Sequence, residues 1–298
     1  MLSIVLQQIG SVRVQMFRKI LLFCLVLFVS ACADEAPQEQ LRLKVGILPD
    51  KSIEVLRDEF QPLIDHLAAE TSMPVELVIP ESYEQLLDLF VNNEVDLAFF
   101  GGLTFLQAQA KSGAVPLVTR DVDARFTSIF LARQGESGSK VTDFTGRHFG
   151  FGSELSTSGH LMPRYYMQSL GVDPEKFFSG VTYTGAHDNT AHAVADGTVD
   201  LGVANALVVR RMLSSGALDT DKVKIIWETP PYTDYVWAIQ SDVNGAVKED
   251  ILEAFLSLSM AKAPDRVILD KQNARSFLPV RQEDFSKLRE LAKELELL

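Results

Sequence analysis

The sequence is poor in cysteine and in basic charge, and it lacks long apolar runs. Only Cys24 and Cys32 occur among its 298 residues, and no cysteine follows Cys32. A domain built from the residues beyond it has no disulfide, no thiol nucleophile and no thiolate metal ligand. The five histidines are scattered and none falls at metal-ligand spacing, so neither a metal nor a cofactor is expected. Lys and Arg number 28 against 40 Asp and Glu. That balance argues against nucleic acid as a partner, since phosphate backbones need a basic surface. It also means that a bound anion must be held by local donors against the overall field. No G-x-S-x-G elbow is present, and Ser158, His187 and Asp234 have no spacing that would activate a nucleophile. An enzyme is therefore not expected. The hydrophobic share of 47% and charged share of 23% suit one large domain or two lobes.

The N-terminus has an organisation of its own. "MFRKILLFCLVLFVSAC" runs from Met16 to Cys32, with Arg18 and Lys19 ahead of an apolar stretch from Ile20 to Val29. That stretch is too short for an ordinary membrane span and has the layout of a signal peptide. Its end, Val29-Ser30-Ala31-Cys32, resembles a bacterial lipobox, in which the cysteine is lipidated and becomes the first mature residue. Residues 1–31 are read as a lipoprotein signal peptide, Cys32 as the lipid attachment site, and 32–40 as a polar tether. Residues 1–15 fit no basic n-region, so the start lies at Met1 or Met16. Residues 1–31 hold three of the basic residues and no acid, so their removal leaves a formal charge of −15.

From Leu41 the pattern alternates strand and helix. "LRLKVGILP", "PVELVIP", "VDLAFFG", "FTSIFLAR", "HFGFG", "VTYTG", "VDLGVA", "KVKIIWET" and "YVWAIQ" read as strands. Ser52 is placed to cap a helix in which Pro62 should cause a kink or restart. Ser82-Tyr83-Glu84-Gln85 fits a capping box. Near the end, Phe285, Leu288, Ala292 and Leu295 form one helical stripe. Such alternation implies α/β architecture. Two stretches echo each other: "NNEVDLAFFGGLTFLQA" and "ADGTVDLGVANALVVRR" both run polar turn, Val-Asp-Leu, small residues, helix. Ligands of open α/β sheets sit at such strand ends.

Several of these stretches together resemble the phosphonate/phosphite/phosphate substrate-binding proteins of ABC importers. The similar segments are "VGILPD", "YEQLLDLFVNNEVDLAFFGGLTFL", "FGSELSTSGHLMPRYYMQSLGVDPEKFF" and "YTGAHDNTAHAVADGTVDLG", over most of Val45 to Gly202, with "FLPVRQEDFSKLRELA" resembling the family's tail. The resemblance implies a two-lobed, type II periplasmic-binding-protein-like α/β fold, each lobe a mostly parallel sheet flanked by helices. The expected lobes are 41–133 plus 238–298, and 134–237. The crossing strands are expected near Phe130 to Gln134 and Trp237 to Gln240, so that Trp227 and Trp237 should report ligand binding by fluorescence. The implied function is lipid-anchored capture of a phosphonate, phosphite or phosphate-like oxyanion in an interlobe cleft, on the outer side of a membrane. Delivery to an ABC permease in the inner membrane, by a monomeric protein, would follow. The alternative partner is a membrane histidine kinase that senses the same ligand.

The site residues follow from the same resemblance, position by position. Ser156, Thr157 and Ser158 match a triplet that grips phosphonate oxygens, and a helix N-terminus adds free N–H groups and partial positive charge. Gly159 lets the backbone approach closely. A hydroxyl-rich helix cap is the structural alternative. His187, in its Gly-x-His-Asp setting, is expected to contact the ligand, whereas His192 and His160 are read as structural. Tyr83 would donate its hydroxyl from the first lobe. Phe105 stands where the family often has a tyrosine; it can wall a pocket but cannot donate, and Gly101, Gly102, Leu103 and Thr104 would compensate. Asp234, in "PPYTDY", would accept an O–H from a protonated phosphonate or phosphate, or an ammonium. Asn205 and Ala206 replace a second acid found in amine-binding members, which favours phosphate, phosphite or methylphosphonate.

Overall fold

The computed structural model describes residues 42–298. The signal segment, Cys32 and the tether lie outside the described residues. Strands β1 (Leu43–Ile47), β2 (Val75–Val78), β3 (Leu97–Phe100) and β4 (Val115–Arg120) begin a first sheet. The chain then forms a second sheet from β5 (Ser128–Arg133), β6 (His148–Phe151), β7 (Gly180–Tyr183), β8 (Leu201–Asn205) and β9 (Val223–Glu228). It returns to the first with β10 (Val236–Ile239) and β11 (Phe277–Pro279). The strand orders are β11-β4-β10-β3-β1-β2 and β7-β6-β8-β5-β9.

Both sheets are mixed, not mostly parallel. β1 runs parallel to β2 and β3, and β6 parallel to β7 and β8. β10 is antiparallel to β3 and β4, β11 to β4, and β5 to β8 and β9. Parallel neighbours need helical crossovers. They are supplied in the first sheet by α1 (Ile53–Thr71) and α2 (Tyr83–Val91). β5 and β10 instead enter their sheets from the other half of the molecule, and they run against the strands already there.

The chain changes sheet ahead of the expected positions. It passes over through residues 121–127 and back through 229–235, and the two segments pair where the Phe126 N–H donates to the Tyr232 carbonyl (2.7 Å) and the Tyr232 N–H to the Phe126 carbonyl (2.9 Å). Phe130 and Trp237 lie inside β5 and β10.

The cores follow the apolar periodicity. One surrounds the first sheet, with Val45, Phe60, Phe90, Phe99, Trp237 and Phe255. The second sheet separates two others: Ile129 and Leu131 face one, Phe130 and Ala132 the other, as period-2 alternation along β5 requires. The echo seen in the sequence has a shared cause. Asp96 Oδ2 accepts the Lys44 N–H at the start of β1 (2.7 Å), and Asp200 Oδ2 accepts the His148 N–H at the start of β6 (2.9 Å). Each aspartate pins the entry of a parallel neighbour.

α1 is one unbroken 19-residue helix despite Pro62. Proline removes the N–H that would bond the carbonyl four residues earlier, Asp58. Lys271 Nζ donates to that carbonyl instead, at 3.0 Å. Ser52 precedes α1 without a side-chain cap bond. Ser82 does cap α2, its Oγ accepting the Gln85 N–H at 3.1 Å, while Gln85 Oε1 reaches back to the Glu81 N–H at 2.6 Å.

Candidate functional site

Four element starts and one crossing segment converge between the two sheets. α3 (Gly102–Ser112) opens directly after β3. A π-helical turn, Thr157–Leu161, opens after β6 and runs on into α4 (Met162–Ser169). After α5 (Pro174–Phe177) and β7 comes α6 (His187–Asp196). α2 begins at Tyr83, and Asp234 lies in the second crossing segment. Tyr83, Ser156, Thr157, Ser158, His187 and Asp234 are all at least 98% buried.

Backbone N–H groups of α3 reach across this convergence. The Gly102 N–H donates to Asp234 Oδ1 at 3.1 Å and the Leu103 N–H to Thr157 Oγ1 at 2.9 Å. Both donors belong to the first, unpaired turn of a helix, where N–H groups seek acceptors and the dipole favours negative charge. Thr104 Oγ1 donates to the Leu155 carbonyl at 3.0 Å, a further tie between the same stretches.

The three consecutive hydroxyls have different fates. Ser156 Oγ accepts the Gly159 N–H at 2.9 Å, the helix-cap role that its composition also suggested. Thr157 Oγ1 is taken by Leu103. Ser158 Oγ is buried without a hydrogen-bond partner, and so is Asp234 Oδ2. Buried polar atoms are rarely left so, because each forfeits its hydration. Burial pushes the Asp234 carboxyl up to about 7, against the pull of the Gly102 N–H and the Thr157 hydroxyl, with the Asp123 charge adding to the rise.

His187 is held neutral, its pKa lowered to about 4 by burial, although the Asp50 charge opposes the shift. Its Nδ1 accepts the Asn205 N–H at 3.3 Å, which leaves the proton on Nε2. Nε2 faces the hydroxyls of Tyr235 (3.4 Å) and Tyr83 (3.5 Å). The Tyr235 hydroxyl donates to Asp50 Oδ2 at 2.8 Å and accepts from Asn205 Nδ2 at 3.1 Å. The His187 N–H donates to the Asp50 carbonyl at 3.0 Å. Gly159 makes this packing possible: a Cβ there would stand 3.0 Å from His187 Cε1 and 3.1 Å from Gly152 Cα.

Phe105 is fully buried and packs on Phe285, ring centroids 5.0 Å apart, so its ring belongs to the first-sheet core. His160 is held by its own shell: Nδ1 lies 2.7 Å from the Glu154 carbonyl and Nε2 accepts from Arg164 Nε at 2.9 Å. Asp50, Asn205 and Tyr235 were not singled out as polar partners in the sequence, nor were Ser128 and Tyr232, whose hydroxyls meet at 2.5 Å while Ser128 Oγ donates to the Ser158 carbonyl at 2.7 Å. The traceable signal was position, since Asp50 ends "VGILPD" and Tyr232 and Tyr235 flank Asp234. A buried arginine lies beneath the site. The Arg120 guanidinium sits over the Phe99 and Tyr235 rings at 4.9 and 5.3 Å, and Asp123 neutralises it through bonds of 2.7 and 2.8 Å.

A family profile described as "ABC transporter, phosphonate, periplasmic substrate-binding protein" matches residues 45–285. The probable ABC transporter phosphite binding protein PhnD1 of Prochlorococcus marinus (strain MIT 9301) is 29% identical over 266 residues, spanning 85% of this chain and 89% of the relative. The phosphate-import protein PhnD of Mycolicibacterium smegmatis is 25% identical over 294 residues, spanning 89% and 92%. The structure of PhnD1 from Prochlorococcus marinus in complex with methylphosphonate aligns with a TM-score of 0.83 at 28% identity, covering 86% of this chain and 99% of that one. With the profile matched across most of its length, this chain belongs to the phosphonate-binding family of ABC-transporter periplasmic substrate-binding proteins.

Proposed function

We propose that this protein captures a small, tetrahedral phosphorus oxyanion at the convergence of Ser158, Asp234, His187 and Tyr83 and delivers it to an ABC permease. The carrying observation is the pair of unpartnered buried atoms, Ser158 Oγ and Asp234 Oδ2. A singly protonated oxyanion completes both: it accepts from the serine hydroxyl and gives its own O–H to the carboxylate. Further donors in reach are the His187 Nε2–H, the Tyr83 hydroxyl and the helix N-termini of α3 and the Thr157 turn. All are neutral dipoles, in keeping with the strongly acidic composition. The relatives whose names specify phosphite and phosphate, and the aligned methylphosphonate complex, support the same ligand class.

Capture proceeds by closure. The two sheets form two lobes hinged at the crossing segments 121–127 and 229–235, and the ligand selects the closed arrangement by bridging both. Residues 1–31 direct export, and lipid on Cys32 tethers the protein at the outer face of a membrane. Cys32→Ser should abolish incorporation of labelled fatty acid and release the protein from the membrane fraction.

Titration calorimetry with phosphate, phosphite, methylphosphonate and 2-aminoethylphosphonate tests the reading. The first three should bind more tightly than the amine, because Asn205 and Ala206 offer no second acid. Ser158→Ala and His187→Ala should each weaken binding at least about tenfold, the loss of a hydrogen bond to a charged ligand. Unchanged binding by both variants would remove the site assignment.

A further inference from the structure

Glu59 lies on α1 among the buried apolar residues Leu56, Phe60 and Leu63, and its side chain is 3% exposed. A carboxylate so placed needs charged partners. It has two, from opposite halves of the molecule. Lys51, just beyond β1, pairs with Oε2 from the first-sheet side. Arg211, on α7 (Ala206–Ser215) of the second-sheet side, brings Nη1 to 2.6 Å from Oε1. A cavity of about 20 Å³ at this seam is lined by Asp50, Lys51, Glu59, Arg120, Asn205 and Arg211, among others. That is room for about one water.

The same turn of chain carries the seat of His187. The Asp50 carbonyl takes the His187 N–H, and the Ser52 N–H donates to Asp188 Oδ2 at 2.9 Å. Lys51 Nζ also lies 3.8 Å from Asp50 Oδ1. Docking of α6 on Asp50–Ser52 and pairing of Arg211 with Glu59 therefore happen together. Separation of the halves would leave Glu59 with Lys51 and take Arg211 away.

We propose that Arg211 sets ligand affinity from outside the ligand's contact shell, by an ion pair with Glu59 that exists only in the closed molecule. This rests on the binding and closure reading above. Arg211 is 41% exposed, so the effect is that of a partly screened pair and not of a buried one. It acts on the lifetime of the closed state and is indifferent to which oxyanion is enclosed.

The test compares the full-length protein with Arg211→Ala, using phosphate, phosphite and methylphosphonate as probes. Arg211→Ala should weaken each by the same factor, about two- to fivefold, through faster dissociation, while the ligand-free melting temperature is unchanged. In a Glu59→Gln background, Arg211→Ala should have no further effect on affinity. Wild-type affinity in Arg211→Ala, a factor that differs between the probes, or a lower ligand-free melting temperature would each overturn the proposal. Binding of none of the probes by the wild type would instead sink the ligand reading, and the latch with it.

Discussion

Asp234 and His187 are both buried, and burial moves them in opposite senses. Asp234 holds its proton up to about 7 in the fold, against an ordinary value of 3.8. The folded state binds more protons across that window, so the contribution to stability is full below about pH 3.8 and is lost progressively as pH rises to about 7. His187 and His160 are each depressed to about 4 from 6.5. There the unfolded chain binds more protons, so stability rises with pH across that range. Asp234→Asn removes the first trend alone. Thermal melts of the ligand-free protein should show the variant matching the wild type near pH 4, gaining on it between pH 4 and about 7, and keeping that lead above pH 7; parallel curves throughout would refute a buried, proton-retaining Asp234. Ser158, His187 and Asp234 could be singled out as candidates in the sequence because each sits in a short distinctive string. Asp50 and Tyr235 were not, because their hydrogen bond joins residues 185 positions apart and neither has a local signature.

The turn from β6 into α4 shows how much one element can carry. Its serine, threonine and glycine serve as cap, acceptor for the Leu103 N–H of α3 and close-contact point within a few residues, and its i→i−5 bond from the Leu161 N–H to the Ser156 carbonyl (3.0 Å) gives the extra room of a π-helical turn. Gly159→Ala places a methyl against His187 and the Gly152 backbone, neither free to move far. It should cost about 1–3 kcal/mol in chemical denaturation, and phosphorus oxyanion binding with it. Ser158→Ala should leave ligand-free stability unchanged or slightly raised, since it deletes a hydroxyl that has no partner. If Ser158→Ala destabilises as Gly159→Ala does, the hydroxyl has a structural role instead. Periodicity revealed most strands and helices of this region, but not the π-helical turn, whose residues also suit an ordinary helix start. Nor did it reveal strand direction, so the antiparallel placing of β5 and β10 that makes the sheets mixed was not legible. The crossing segments were displaced in the reading because their pairing, Phe126 with Tyr232, leaves no period to follow.

For the molecule as a whole, the proposed ligand is compatible with the acidic composition because, in that reading, helix ends and hydroxyls do the work that lysine and arginine do elsewhere. The echoing Val-Asp-Leu stretches were the legible trace of a bond that recurs in both sheets, from Asp96 to Lys44 and from Asp200 to His148. The tryptophans are less well placed as reporters than the sequence suggested. Trp237 is locked among Phe60, Phe99 and Phe255, with centroids 6.0, 5.1 and 5.0 Å away, and Trp227 packs on Phe130 at 5.3 Å. A change in scattering radius on ligand addition is the better measure of closure. The most direct measurement is a crystal structure grown with methylphosphonate. The account places phosphorus between the two sheets, with its oxygens within hydrogen-bond reach of Ser158 Oγ and Asp234 Oδ2. Phosphorus density elsewhere, or a gap between the sheets filled by a flat apolar molecule, would contradict it.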